Sequence, residues 1–518
     1  MADQKISDLA ALTAVDDADL LVVVDVSAAE TKKATKAALL SDINGLTVGR
    51  GAGDIATNTA NGHSALYSNT TGAFNTASGY QALFSNTTGS YNSCHGYQVL
   101  RSNTGGVSNT ASGLQALYYN TTGNYNSSHG VEALNRNTTG INNTASGYRA
   151  LYSNTSASNN TASGYQALYT NITGAANTAS GYRALFSNNT GDNNTASGYQ
   201  ALFTNTTGAN NTASGYQVLF SNNTGDNNTA SGYRALYTNA GGASNTASGN
   251  SALFSNTGGG SNTASGNSAL YYNTTGNYNS AYGYQALYTN AGGASNTASG
   301  NSALFSNTGG GSNTASGNSA LYYNTTGNYN SAYGYQALRL NTTGVSNTAS
   351  GFTAGDVITT GSRNVSIGGY CDPSAAAGND QVVIGYALVG KGNDTAFIGG
   401  TNGAYNESNS TTWQTTSDER IKKNIVDNNS GLDVLSQIKV RNFEYRTPDE
   451  ITDFSSNVAI EKDGLQLGVI AQELQQVLPE CVSESSTGVL SVDTGPLVWH
   501  LINAVKELKA EIQIMKGS

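Results

Sequence analysis

Apolar and polar positions repeat with a period of 17 residues through most of this chain. A glycine keeps that step without an insertion from Gly62 to Gly351. One unit, Gly198 to Ser214, reads GYQALFTNTTGANNTAS. This pattern predicts two short strands per unit, one of the type Tyr80 to Phe84 and one of the type Asn75 to Ser78. Glycine and asparagine at the corners supply the positive φ that sharp turns need.

A unit of this length is too short for a pair of helices with their loops, and it suits one coil of a β-solenoid or β-roll. Equivalent residues then stack at the spacing between strands, roughly 4.8 Å, and Leu83, Leu117 and Leu134 line one apolar column. A looser continuation through Ile367 and Ile384 gives about 20 coils and a rod of roughly 95 Å. The predicted fold class is therefore mainly β.

The predicted strand alternation places Tyr80, Ala82 and Phe84 on one face and Leu83 on the other, so both faces carry apolar side chains. A solitary rod would expose one of these faces, and large apolar patches are unfavourable in water. Three rods packed along one axis would bury both. We therefore expect a homotrimeric shaft. The alternative is a single-chain solenoid with aromatic side chains on its surface.

Charged residues divide the chain into parts. The net charge is −10, yet Leu46 to Thr416 contains only nine acidic and nine basic residues. The other charges lie near the two ends. We expect an N-terminal module at 1–46, the repeat shaft at 47–355, degenerate repeats with a candidate tip at 356–416, and an α+β domain at 417–518.

Composition also limits the partners and cofactors. An acidic chain without a Lys/Arg stripe is not expected to bind nucleic acid. No segment has the apolar length of a membrane span or of a signal peptide, so no membrane insertion is expected. Three distant cysteines and four histidines without ligand spacing predict no disulfide framework, no metal and no cofactor. Calcium-binding β-rolls need an Asp in each turn, and Asp192 and Asp226 are nearly alone.

The first 46 residues form a small separate module in this interpretation. Leu20 to Val26 is a candidate strand because of its β-branched run, and Ala34 to Ile43 is a candidate short helix. The segment resembles the N-terminal parts of phage tail fibres. That resemblance implies attachment to a virion tail or baseplate protein.

The sequence changes character at Thr416. The motif SDERIKKNI begins at Ser417, and LGVIAQEL begins at Leu467. The closing segment, Leu497 to Met515, has apolar positions that step by three and four, which predicts a helix with a coiled-coil seam. A single amphipathic helix on a monomeric core is the alternative. The seam positions are Val498, Leu501, Val505, Leu508, Ile512 and Met515.

These motifs resemble, in order and spacing, the endosialidase-type intramolecular chaperone domain of phage tail spikes and fibres. The resemblance implies a trimerising domain that guides the shaft into register and then cleaves itself off. It places the nucleophile at Ser417, the general base at Lys422 and the scissile bond at Thr416–Ser417. Asp418 and Arg420 would either support this site or form a structural ion pair.

A Ser-Lys dyad has physical requirements. A serine hydroxyl is a weak nucleophile until a base takes its proton, and the lysine of such a dyad must be neutral to act as that base. A spacing of five does not place Ser417 and Lys422 on one face of a straight helix, so the segment must turn between them. We expect at most one self-cleavage event per chain, and we expect no active site in the shaft that turns over a substrate. The alternative role of Ser417 is a helix N-cap.

The resemblance implies a structural virion tail fibre, assembled in the host cytoplasm, that adsorbs to a glycan or protein on a host surface. Exposed aromatic side chains at the end of the shaft would suit stacking on sugars, although a tapering cap is the alternative. A polysaccharide-degrading tail spike would need a carboxylate pair such as Asp192 and Asp226. A bacterial trimeric adhesin, whose head repeats look similar, and an ice-binding protein with Thr/Asn ladders are two further possibilities. The candidate tip residues are Tyr370, Tyr386, Tyr405 and Trp413.

Overall fold

The computed structural model describes residues 20–25, 30–35, 46–399, 404–406, 422–453, 462–484 and 489–517. The chain separates into two units, Met1–Gln414 and Thr415–Ser518. At the start of the first unit, strand β1 (Leu20–Asp25) pairs antiparallel with strand β2 (Glu30–Thr35). The strand predicted at Leu20 to Val26 is thus confirmed over Leu20–Asp25, and Val26 lies outside the described residues. The helix predicted at Ala34 to Ile43 is wrong at its first two residues, which lie in β2, and its remainder lies outside the described residues.

The shaft is a β-solenoid in which each coil contributes one strand to a long parallel sheet, as predicted. Thr161–Ser163 pairs in register with Thr178–Ser180, and the same pairing recurs from coil to coil. Strand Leu46–Gly49 closes one end of this sheet in antiparallel pairing, and Ala404–Asn406 closes the other. The strands of the coils are Thr59–His63, Thr76–Ser78, Ser93–His95, Thr110–Ser112, Ser127–His129, Thr144–Ser146, Thr161–Ser163, Thr178–Ser180, Thr195–Ser197, Thr212–Tyr216, Thr229–Tyr233, Thr246–Ser248, Thr263–Ser265, Ser280–Tyr282, Thr297–Ser299, Thr314–Ser316, Ser331–Tyr333, Thr348–Ser350, Val365–Ile367, Val382–Gly385 and Ala396–Gly399.

A second line of pairing follows the opposite side of the middle coils. These strands have two residues each and end on a buried asparagine, as in Thr204–Asn205. They are Thr170–Asn171, Ser187–Asn188, Thr204–Asn205, Ser221–Asn222, Thr238–Asn239, Ser255–Asn256, Tyr272–Asn273 and Thr289–Asn290.

The repeating glycine is required by close packing between coils. Gly79 has a φ of 131°, and a Cβ built on it would lie 2.1 Å from the carbonyl oxygen of Gly96. The same contact recurs at Gly198, where the distance to the oxygen of Gly215 would be 2.2 Å. Any side chain at this corner would therefore push neighbouring coils apart, which explains why the period is kept without a slip.

The Tyr-x-Ala-Leu-Phe segment forms turns, so the strand predicted at Tyr80 to Phe84 is wrong. Gln81 and Leu83 both have a φ of 53°, in the left-handed region. The amide of Leu83 donates to the oxygen of Val99, and that of Gln81 donates to the oxygen of His63, at 3.0 and 2.8 Å. These contacts with adjacent coils offset the cost of a left-handed conformation, which local propensity does not favour for leucine.

The turn also changes which side chains are buried. Ala82 and Leu83 are both fully buried, whereas Tyr80 is 41% exposed. The prediction that Ala82 shares a face with Tyr80 is therefore wrong, because period-two alternation requires an extended backbone. The apolar column through Leu83, Leu117 and Leu134 is confirmed. A single chain encloses this core of alanine and leucine columns by itself.

Two columns of buried asparagines complete the interior of the coil. In the first amide ladder, which runs at the repeat step from Asn58 to Asn364, the amide nitrogen of Asn211 donates to Gly225 O at 2.8 Å. In the second amide ladder, from Asn69 to Asn341, Asn205 Nδ2 donates to Asn188 Oδ1 and to Gly208 O, both at 2.7 Å. Because almost every buried amide has its partners, these polar columns stabilise the coil instead of weakening it.

The second amide ladder ends at a change of residue. Ile358 stands at the next position of that column and is buried in the core. Asn341 Oδ1 consequently has no hydrogen-bond partner. The regular packing of the shaft ends here, and the following coils carry a separate small core of Cys371, Val383, Leu388 and Phe397.

The C-terminal unit has the predicted mixture of helices and strands. Helix α1 (Leu432–Leu435), helix α2 (Ala471–Gln475) and the long helix α3 (Gly495–Gly517) accompany two small antiparallel sheets. Leu474, Leu478 and Cys481 form its buried core. The strand pairs are Arg441–Phe443 with Gln466–Gly468 and Val482–Glu484 with Leu490–Val492, and short 3-10 helices lie at Pro448–Glu450 and Pro479–Cys481.

Candidate functional site

The predicted self-cleavage residues lie at the margin of the described chain. Thr416, Ser417, Asp418 and Arg420 fall outside the described residues. Lys422 is the first described residue of the C-terminal unit, and its side chain is exposed. The Ser417–Lys422 assignment and the scissile bond therefore remain predictions.

The segment that follows Lys422 is held by polar side chains of helix α3. His500 Nδ1 lies 2.8 Å from Ser430 O, and because a carbonyl only accepts, Nδ1 carries the proton. Asn503 Nδ2 donates to Asn428 O at 2.6 Å, and Glu507 accepts from the backbone amide of Leu432 at 2.6 Å. The long helix thus fixes the chain a few residues after the predicted dyad.

Gly431 brings this segment against the helix backbone. A Cβ on Gly431 would lie 2.5 Å from Ala504 N and 2.7 Å from the carbonyl carbon of Asn503. Ala504 and His500 are buried on this face of the helix. Any side chain at Gly431 would force the two segments apart, so the glycine determines how closely the helix approaches.

Helix α3 also carries exposed apolar side chains. The six predicted seam residues are between 42% and 67% exposed, and Trp499, Ile502 and Ile514 of the same helix are exposed too. Placing so many large apolar side chains in water is unfavourable, and such exposure is typical of a surface that binds a partner. The members of the seam are Val498, Leu501, Val505, Leu508, Ile512 and Met515.

An ion pair that the sequence did not reveal joins the second motif to a strand. Arg441 donates to both carboxylate oxygens of Glu473, at 3.1 and 2.7 Å. This contact lowers the pKa of Glu473 and raises that of Arg441. The pair is 32 residues apart in sequence, so only the fold brings it together.

The shaft surface carries two columns of stacked aromatic rings. In the Phe84 column, which comprises the residues at the repeat step on either side of Phe84, eleven rings from Tyr152 to Tyr322 stack 4.8–5.2 Å apart. In the Tyr80 column, the rings from Tyr148 to Tyr233 stack at 5.0–5.3 Å. Stacking buries most ring faces against the next coil, so solvent meets mainly ring edges.

Two positions of the Phe84 column before Tyr152 carry no ring: Arg101, whose guanidinium lies over Phe84 and Tyr118, and Asn135, where an open pocket of about 750 Å³ lies. Tyr118 and Tyr152, the column residues before and after Asn135, line the pocket. Asn135 is only 5% exposed and donates to Gln115 O at 2.9 Å. The polar side chains of the pocket are Ser102, Gln115, Tyr119, Thr121, Glu132, Arg136 and Thr138.

The candidate tip residues are only partly described. Tyr370 and Tyr386 are exposed and meet edge to face, with ring centroids 5.9 Å apart. Tyr405 lies in the strand Ala404–Asn406, without a described side chain, and Trp413 lies outside the described residues. The structure therefore brings two of the four together.

Two sets of aspartates contribute to the shaft in different ways. Asp192 and Asp226 are exposed, and their Oδ1 atoms accept from the amides of Ala175 and Ala209, so they hold turns. Asp372, at the degenerate end, is partly buried, and burial together with the charge of Asp356 raises its pKa to about 6.

Among the residues that the structure describes, no helix is long and apolar enough to cross a membrane. Within the same ranges, no group of three or more His, Cys, Asp or Glu side chains is placed to hold a metal ion.

These features define a protein with a β-solenoid shaft and a separate C-terminal unit of helices and strands. Residues 417–483 match the family model described as chaperone of endosialidase, Peptidase_S74, as the motifs predicted. The combination of this domain with a β-solenoid shaft is consistent with a phage tail fibre or tail spike. No solved structure matches the chain.

Proposed function

We propose that this chain is a homotrimeric tail fibre whose C-terminal unit templates assembly and then removes itself at Thr416–Ser417. The observation that carries the proposal is the apolar seam of α3, left in solvent by a unit of the chaperone-of-endosialidase family. Three such helices packed along their seams would bury these side chains as a and d positions of a coiled coil.

The repeats make a templating step useful. Adjacent coils present nearly identical side chains, so a shift of one coil between chains would still match glycine with glycine and leucine with leucine. A trimer formed first at the C-terminus would fix the register before the shafts meet. Cleavage afterwards would make the assembly kinetically trapped.

Host adsorption is the role that we propose for the mature fibre, with a glycan or protein of the host surface as receptor. Residues 1–46 would attach it to a tail or baseplate protein of the virion. Exposed Tyr370 and Tyr386 support a receptor site near the end of the shaft, since ring surfaces in solvent suit carbohydrate.

The test is a denaturing gel of the full-length chain beside Ser417→Ala and Lys422→Ala. We expect the wild type to split into two pieces whose masses sum to 53.2 kDa, the smaller being residues 417–518, and both variants to stay intact. Lys423→Ala is the matched control and should still be cleaved. An uncleaved wild type would instead indicate a trimerisation unit that the mature fibre retains.

A further inference from the structure

At Asn135 the Phe84 column lacks the ring that would stack between Tyr118 and Tyr152. Tyr118 and Tyr152 are two coils apart, about 10 Å at the spacing between strands. The residue between them contributes no ring, and among the described residues no aromatic ring of an adjacent coil stacks on Tyr118. We name this pocket the Asn135 notch.

The polar groups of the Asn135 notch suit a ligand rich in hydroxyl groups. Gln115, Thr121 and Thr138 line it beside Tyr118 and Tyr119. Ligand pockets generally combine aromatic surface with a few hydrogen-bonding groups that fix orientation. The volume of about 750 Å³ is large enough for a short oligosaccharide, and its open side would let a longer chain pass along the shaft.

The charge around the notch is positive in an otherwise acidic chain. Three of the nine basic residues between Leu46 and Thr416 are here, namely Arg101, Arg136 and Arg149. Glu132 is the acidic residue of the notch, and it is paired with Arg149.

Arg136 is the group that would meet an anion. Its guanidinium lies 5.2 Å from the centre of the Tyr152 ring, and it has no carboxylate within ion-pair distance in the part of the chain that the structure describes. A guanidinium that lies over a ring can still use its N–H donors for a planar carboxylate.

We propose that the Asn135 notch binds an acidic saccharide, a carboxylate-bearing sugar whose ring packs on Tyr118 and whose carboxylate pairs with Arg136. This inference rests on the proposed function, since it names the receptor class of an adsorbing fibre and places a receptor site on the side of the shaft. A neutral sugar would use the rings and amides but would leave Arg136 without a partner.

The test is calorimetric titration of the full-length chain with trigalacturonate, and with maltotriose as the neutral trisaccharide. We expect trigalacturonate to bind at least tenfold more tightly than maltotriose. Arg136→Gln should weaken trigalacturonate binding at least tenfold. Asn135→Phe should abolish it, because a ring at this position completes the column as Tyr118 and Tyr152 do in adjacent coils.

Arg183→Gln is the control, since Arg183, like Arg136, lies over a ring of the Phe84 column, but where that column is not interrupted. It should bind like the wild type, and circular dichroism should show all three variants folded. The proposal is wrong if the wild type does not bind trigalacturonate, if both notch variants bind it normally, or if maltotriose binds equally well.

The same titration with the Ser417→Ala chain separates this proposal from the proposed function. If the chain does not process itself, the notch still binds trigalacturonate, and only the proposed function fails. If the chain processes itself and no saccharide binds, the notch proposal fails alone.

Discussion

The shaft and the C-terminal unit differ in how far they bury their apolar side chains. Each coil of the shaft buries its alanines, leucine and two asparagines within one chain. The C-terminal unit has a small core and leaves the seam of α3 in solvent. The shaft thus covers its own apolar core, whereas the last unit leaves apolar side chains in solvent, where the trimer that we propose would bury them.

This difference changes which region of the chain supports a homotrimer. In the sequence analysis, the homotrimer follows from an alternation that places apolar side chains on both faces of a shaft strand. Since Ala82 and Leu83 turn inward together, that argument no longer holds for the shaft. What supports a trimer is the seam of α3, and the aromatic columns contribute only ring edges.

The largest expected effect comes from breaking the seam. Leu501→Glu with Val505→Glu places charges where a trimer would bury apolar side chains, so we expect complete loss of the oligomer in sedimentation velocity. Circular dichroism should show that the shaft remains folded. The control pair Lys509→Glu and Gln513→Glu lies on the same helix outside the seam and should leave the oligomer intact. If the double seam variant still forms the oligomer, the shaft and not the seam of α3 holds the chains together.

The next effect tests whether the shaft depends on its amide ladders. Asn205→Ala leaves Asn188 Oδ1 without a donor and removes an acceptor from Asn222. We expect a loss of roughly 3 kcal/mol in the free energy of unfolding, from about 1–3 kcal/mol for each buried group left unpaired. The urea midpoint measures this loss. Asn223→Ala, at an exposed position in the next coil, should change it by less than about 0.5 kcal/mol.

The smallest effect is at the degenerate end of the shaft and depends on pH. The folded state keeps the proton of Asp372 up to about pH 6, whereas an unperturbed aspartate loses it near 3.8. Folding therefore binds a proton between these values, and the stability contribution of Asp372 falls as the pH rises through this window. Asp372→Asn should raise the melting temperature above pH 6, and the gain should disappear near pH 4.

Asp380→Asn provides the control of opposite sign. Its ion pair with Arg363 lowers the pKa of Asp380, so that pair stabilises the fold at neutral pH and is lost in acid. This variant should be slightly less stable than the wild type at neutral pH. An Asp372→Asn chain whose melting temperature follows that of the wild type at every pH would contradict the burial of this carboxyl.

The period of the sequence was enough to predict the solenoid, its glycine corner and the leucine column. It did not predict the turns at Gln81 and Leu83, because a run such as Tyr-Gln-Ala-Leu-Phe reads locally as a strand. The left-handed conformation is stable only with hydrogen-bond partners in adjacent coils. The amide ladders were missed for the same reason, since an asparagine-rich turn does not show which amides face inward.

In the C-terminal unit, local motifs predicted the family match and the long helix, whereas the long-range contacts within the unit were not predictable. His500 meets Ser430, and Arg441 meets Glu473, across long stretches of sequence. No periodicity relates such pairs. The notch at Asn135 has a signal in the sequence, because Asn135 stands at a repeat position that is mostly aromatic. That signal can be interpreted only once the structure shows that the aromatic residues of this position stack.

Because the shaft is held together by contacts between adjacent coils, whole repeats can be added or lost in the gene. Each asparagine, glycine and ring finds its partner one repeat away, so an added coil brings complete contacts for itself and for its neighbours. Unequal recombination can then lengthen or shorten the shaft by whole coils without a compensating substitution. The nearly identical segments Ala240–Asn290 and Ala291–Asn341 are what such an event leaves behind. The length of the shaft can therefore change during evolution in steps of one coil.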